Sequence, residues 1–164
     1  MHTVNDVPVT AIEAIQAMLA PAVGISAVGL LLLALTNRYS TLVNRIRLLN
    51  EEKRRLMKLI ADQGDLNYTD QTRYMSVVNQ GKELLLRSTY LRNAILFMQS
   101  AIGLFVLTSV LIGLNMFVTT EALRDAMLIT FIIGMIAVFV GILYSAKDVT
   151  RSLRSVLLEV KADD

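Results

Sequence analysis

Charged side chains are missing from three long windows of this chain, at Ala14–Leu35, Ala94–Val118 and Ala126–Ala146. Each is close to the ~20 apolar residues needed to cross the hydrocarbon core of a bilayer at a helical rise of 1.5 Å per residue. Only helices and closed barrels satisfy every backbone polar group inside lipid, and uninterrupted apolar runs of this length read as helices. The sequence therefore predicts an all-α integral membrane protein. It forms one membrane domain over 1–164, with transmembrane helices at about 14–36, 94–118 and 124–146. The chain holds no cysteine, which excludes a disulfide framework and thiolate metal sites.

The first window is not expected to be a cleaved signal. Residues 1–14 contain His2, Asp6 and Glu13 but no Lys or Arg, whereas signal segments open on positive charge. The sixteen Lys and Arg residues are also unevenly placed. Most of them, including Arg38, Arg45, Arg47, Lys53, Arg54 and Arg55, lie between the first and second windows. Lys147, Arg151, Arg154 and Lys161 follow the third, and the loop between windows two and three holds only Arg124. By the positive-inside tendency this places the N-terminus outside, with residues 37–93 and the C-terminus in the cytoplasm. Basic charge is then a matter of topology, and no nucleic-acid partner is expected.

Thr10-Ala-Ile-Glu13 forms a capping box at the start of the first helix. From there the helical pattern continues to about Asp62, interrupted only by Pro21 and its small neighbours. Beyond the membrane, Leu42, Ile46, Leu49, Lys53, Leu56 and Ile60 recur in alternating steps of four and three, as in a coiled-coil seam. Gly64, Asp65 and Asn67 supply turn chemistry. Tyr74, Val77, Gly81, Leu84, Ser88, Leu91 and Ile95 then repeat the spacing on a returning helix, with Gly81 and Ser88 expected to permit close approach. Residues 37–93 thus read as a cytoplasmic antiparallel helical hairpin, coiled-coil-like. A C-terminal amphipathic helix over about 147–162, with Val149, Leu153, Val156 and Val160 on one stripe, is expected to pack on it. The second membrane helix ends near Asn115–Thr119, and Thr120-Glu121 caps the third.

Catalytic chemistry is not legible. The only histidine is His2, and no nucleophile–base pair, phosphate-binding glycine loop or metal-ligand cluster stands at readable spacing. No enzyme activity, metal or cofactor is expected. None of the three windows holds an ionisable group of the kind that charge-coupled carriers bury in mid-membrane.

The small residues are sorted by face. One face of the first helix carries Gln16, Ala20, Gly24, Ala27, Leu31 and Ala34, away from Leu19, Leu30 and Leu33. The second span holds Gly103, Ser109 and Gly113, and the third Gly134, Ala137 and Gly141, as candidate packing positions. Such stripes let helix backbones touch in lipid. They are open to two readings: close packing within or between chains, or a pore lined by the first helix of several copies. The run "EEKRRLMK" reads as a solvated, self-paired face, with an acidic protein partner as the alternative.

The stretch "AIEAIQAMLAPAVGISAVGLLLLALTNR", followed by Arg45-Ile-Arg47, resembles the opening of a bacterial membrane-protein family catalogued as domain of unknown function 2721. The three-span layout with its basic section extends the resemblance over most of the chain. The resemblance implies a bacterial inner-membrane location and brings no activity or site residues. It also leads one to expect a bulkier apolar residue where Gly24 stands. The functional expectation is a homo-oligomeric pore or ion-channel-like assembly with the first helix innermost. The alternative is a non-conducting scaffold or accessory subunit whose hairpin docks a partner.

Overall fold

The computed structural model describes residues 11–63, 68–118 and 120–162, with side chains as far as Thr150 apart from those at 11, 14, 60–63, 68 and 69. Three helices account for nearly all of it: α1 (Ala11–Gln63), α2 (Tyr68–Asn115) and α3 (Glu121–Ala162). All three are long and apolar enough to cross a membrane. Their most apolar stretches bury only 17%, 22% and 11% of their residues within the chain. Leu30, Phe117, Leu128 and Phe139 are each more than half exposed. Contiguous apolar surface on that scale is incompatible with water and natural in lipid. The chain is an all-helical, multi-pass membrane protein.

Each helix runs past the end of its apolar window without a break. Pro21 lies inside α1, fully buried. A proline there removes one donor of the helical ladder, which membrane helices tolerate. α2 stops at Asn115, at the start of the expected Asn115–Thr119 end, where the chain turns over with Met116 N–H donating to the Gly113 carbonyl at 3.2 Å. The Thr120 carbonyl then accepts from the Leu123 and Arg124 amides at 3.1 and 3.3 Å, the pattern of an N-cap residue, so α3 starts at Glu121, where the Thr120-Glu121 cap was expected. Thr10 and the 64–67 turn lie outside the described residues.

Burial recurs every seventh residue along each helix, because two turns of 3.6 residues return a side chain almost to the same face. On α1 the buried positions are Pro21, Val28, Leu35, Leu42 and Leu56. On α2 they include Val77, Leu84, Leu91, Met98 and Phe105, and on α3 Gly134, Gly141 and Asp148. Leu49, on the same seven-residue series, is half-buried, as are Ile46 and Lys53, the intervening positions of the four-three pattern.

The chain divides into two compact units. The first comprises the residues up to Leu33 together with Leu96–Ile142. Its centre is Phe105, which is 1% exposed and faces glycines of both other helices. The second comprises Ala34–Ile95 and the chain from Leu143 onward. It is cored by Leu35, Leu42, Leu56, Val77, Leu84, Leu91 and Ala94. Among the described residues two ion pairs tie its helices: Arg73 to Glu52 at 2.6 Å, on the surface, and Arg87 to Asp148 at 3.2 Å, largely enclosed.

Candidate functional site

Within the first unit, Phe105 fills a slot that exists because two residues lack side chains. A Cβ placed on Gly24 of α1 would lie 3.1 and 3.2 Å from the ring carbons of Phe105. One placed on Gly134 of α3 would lie 2.8 and 3.0 Å from the opposite ring edge. Phe131 of α3 approaches the same ring with centroids 5.5 Å apart and planes tilted by 40°, a favourable aromatic geometry. One aromatic side chain thus joins three helices, and in lipid such close dispersion contact replaces the absent hydrophobic drive.

The six residues of the first-helix face separate in this packing. Gly24 is half-buried against Phe105, while Gln16, Ala20, Ala27, Leu31 and Ala34 are exposed. Ala20 borders a shallow apolar groove of about 350 Å³, beside Pro21, Thr108 and Phe131. On the second span Gly103 is exposed, with nothing within 4 Å of an added Cβ. Ser109 is half-buried and donates back to the Phe105 carbonyl at 3.0 Å, and Gly113 packs against the Met18 methyl. On the third, Gly134 and Gly141 are buried and Ala137 half-buried. The buried face of α2 is not the Gly103 stripe, because the phase set by Val77, Leu84 and Leu91 carries into Met98 and Phe105 and turns Gly103 outward. Gly81, expected to permit close approach, has nothing within 4 Å of an added Cβ.

The second unit holds the polar feature that the sequence reading missed. Asp148 is 3% exposed and accepts a hydrogen bond from Arg87 Nε. The amphipathic stripe was expected to begin at Val149, but Val149 is 39% exposed and the buried position is Asp148. Two steps of seven from Gly134 reach Asp148, so the register already set in α3 decides which residue turns inward. The rest of that stripe, from 151 on, lies outside the described side chains. Beside the ion pair opens a cavity of about 470 Å³, whose lining includes Arg38, Thr41, Leu42 and Arg45 of α1 and Leu91 of α2. The Tyr90 and Tyr144 rings meet with centroids 6.4 Å apart and planes tilted by 36°, and Lys147 Nζ lies 5.8 Å from the Tyr144 ring centroid.

Of the remaining basic residues, Arg47, Arg54 and Arg55 are exposed and Lys53 is half-buried. Arg54 and Arg55 share a shallow groove with Lys58 and Glu51. Among the described residues no group of three His, Cys, Asp or Glu side chains is placed to hold a metal ion. Asn115, at the end of α2, buries its Oδ1 with no hydrogen-bond partner.

The sequence family described as protein of unknown function (DUF2721) matches residues 18–158. No curated protein and no solved structure matches the chain.

Proposed function

Because this chain belongs to the DUF2721 family of proteins of unknown function, we propose its role from helix packing: a non-enzymatic scaffold or accessory subunit of a bacterial inner membrane. The N-terminus lies outside, and residues 37–93 form a cytoplasmic, coiled-coil-like hairpin that docks a partner protein. The reading rests on Gly24. Its narrow surface is taken up by Phe105 of the same chain, at 3.1 Å from an added Cβ, so this part of the first helix belongs to the packed core. The groove beside Arg54, Arg55 and Lys58 offers three cations against one carboxylate, Glu51, and suits an acidic partner.

A second reading, the homo-oligomeric pore or ion-channel-like assembly, is favoured by a different observation. Ala20, Ala27 and Ala34 recur every seven residues with Gln16 near their outer end, and all four side chains are exposed on the single chain. Small residues repeated on one exposed face suit contact with a second copy. The two readings part on oligomeric state and flux. A scaffold gives no ion flux in liposomes, and Ala27→Leu leaves its fold intact. A pore gives a closed ring in mild detergent, with flux that Ala27→Leu reduces. Gly24→Leu cannot serve this purpose, since it strikes the core.

A further inference from the structure

We infer that the cavity framed by Arg38, Arg45 and Arg87 binds a phosphate group, as carried by the headgroup of an anionic lipid. Arg38 and Arg45 stand seven residues apart on one face of α1, about 10.5 Å along the axis, with Thr41 between them. Two guanidinium groups at that spacing can reach one group from both sides. Arg87 enters from α2 and is fixed there by Asp148, whose side chain is 5% exposed. Asp148 therefore acts as a brace for Arg87.

Three guanidinium groups and one carboxylate leave a net charge of +2 on one cavity of about 470 Å³. Among the described residues Arg38 and Arg45 form no ion pair. Like charges converging on one space repel each other, and an anion between them removes that repulsion. Guanidinium is the side-chain group best matched to phosphate, because its fixed fork donates two parallel hydrogen bonds. Leu42 and Leu91 give the cavity an apolar floor suited to the glycerol and first methylenes behind a headgroup.

Position in the sequence favours lipid as the source. Arg38 comes three residues after the first uncharged window ends at Leu35, and Asp148 two residues after the third ends at Ala146. Headgroup phosphates lie at that boundary, and basic pockets between membrane helices there are a known way of holding anionic lipids. The orienting effect of positive charge explains why arginines are near the window ends. It does not require them to share a cavity with a buried carboxylate.

The test uses the full chain in bilayers of equimolar phosphatidylglycerol and phosphatidylcholine, with the lipids it retains on release counted by native mass spectrometry. Wild type is expected to retain phosphatidylglycerol preferentially. Arg38→Gln/Arg45→Gln should lower that preference about tenfold by removing two charge-assisted contacts. Arg47→Gln/Arg92→Gln removes the same charge from exposed positions outside the cavity and should leave it unchanged. Equal losses in both double variants would mean diffuse surface attraction and would overturn the site. In a second arm, inorganic phosphate is titrated into wild type in neutral detergent and followed by ³¹P line broadening. Broadening without lipid preference would keep the phosphate site and make its source soluble. A wild type that shows no lipid preference and no broadening overturns the proposal, whatever the variants do.

Discussion

Replacing Gly134 by alanine adds one methyl group to space already held by the Phe105 ring. The new Cβ would lie 2.8 Å from Cε1 and 3.0 Å from Cδ1 of that ring, and 3.4 Å from Leu104 Cβ. Ordinary carbon contacts sit at about 3.5–4.0 Å, so the ring must retreat by roughly half an ångström or more. It has nowhere to go, because Gly24 meets its other edge and Phe131 stands beside it. Forcing a methyl group into a packed core costs about 1–3 kcal/mol. Alanine also gains about 0.8–1 kcal/mol of helix propensity over glycine, a figure measured in water. Gly29→Ala makes the control: that glycine has nothing within 4 Å of an added Cβ, so it takes the same propensity gain with no clash. The difference between the two variants isolates the packing term, and Gly134→Ala is expected to be about 1–3 kcal/mol less stable than Gly29→Ala. Gly24→Ala should fall between them, since its contacts are 3.1–3.2 Å. The assay is reversible unfolding in mixed micelles followed by helical circular dichroism. Adding Phe105→Leu to Gly134→Ala should restore part of the loss, with a favourable coupling of about 1 kcal/mol. Gly134→Ala and Gly29→Ala agreeing within about 0.5 kcal/mol would refute the clamp.

Asp148→Leu leaves Arg87 facing a largely enclosed space without its counter-charge. It should cost roughly 2–4 kcal/mol in the same unfolding assay, somewhat below a fully buried pair because the Arg87 side chain keeps 20% exposure. Arg87→Met/Asp148→Leu should recover most of that loss, and a double variant no better than the single would contradict the pairing. The Arg73–Glu52 pair is the contrast: its side chains are 66% and 32% exposed, and Glu52→Gln should cost under about 1 kcal/mol and less at high salt. Asn115→Leu removes a buried carbonyl oxygen that has no partner, so it should be neutral or stabilise by about 1 kcal/mol. A loss above about 1 kcal/mol would show that this oxygen is bonded in the folded protein.

The exclusion of charge from three windows was enough to read three membrane-length helices, since one charged residue in mid-membrane costs several kcal/mol and its avoidance is easily seen. The seven-residue recurrence of Leu42, Leu56, Val77, Leu84 and Leu91 was legible because charged and polar residues are interspersed between them, so an apolar stripe stands out. Within the windows that contrast vanishes. Phe105 and Phe139 look alike in sequence, yet one is 1% exposed and the other 62%. Hydropathy cannot separate a side chain facing a helix from one facing lipid, because both surroundings are apolar. For the same reason the glycines could be seen as small but not assigned partners, and Gly24 and Gly134 found theirs in a residue that drew no notice. Asp148 escaped for another reason. A carboxylate next to Lys147 looks solvated, and only the seven-residue register that continues from Gly134 and Gly141 turns it inward.

The slot around Phe105 also constrains how this sequence can drift. A side chain gained at either glycine presses on the ring, more at Gly134 than at Gly24, and a smaller ring position leaves a void between two glycines that have nothing to fill it. Change at one of the three positions is therefore least costly when another changes with it. A homologue carrying a bulkier residue at the place of Gly24 is expected to carry a smaller one at the place of Phe105. The history of that exchange would be written as covariation between two columns separated by eighty-one positions.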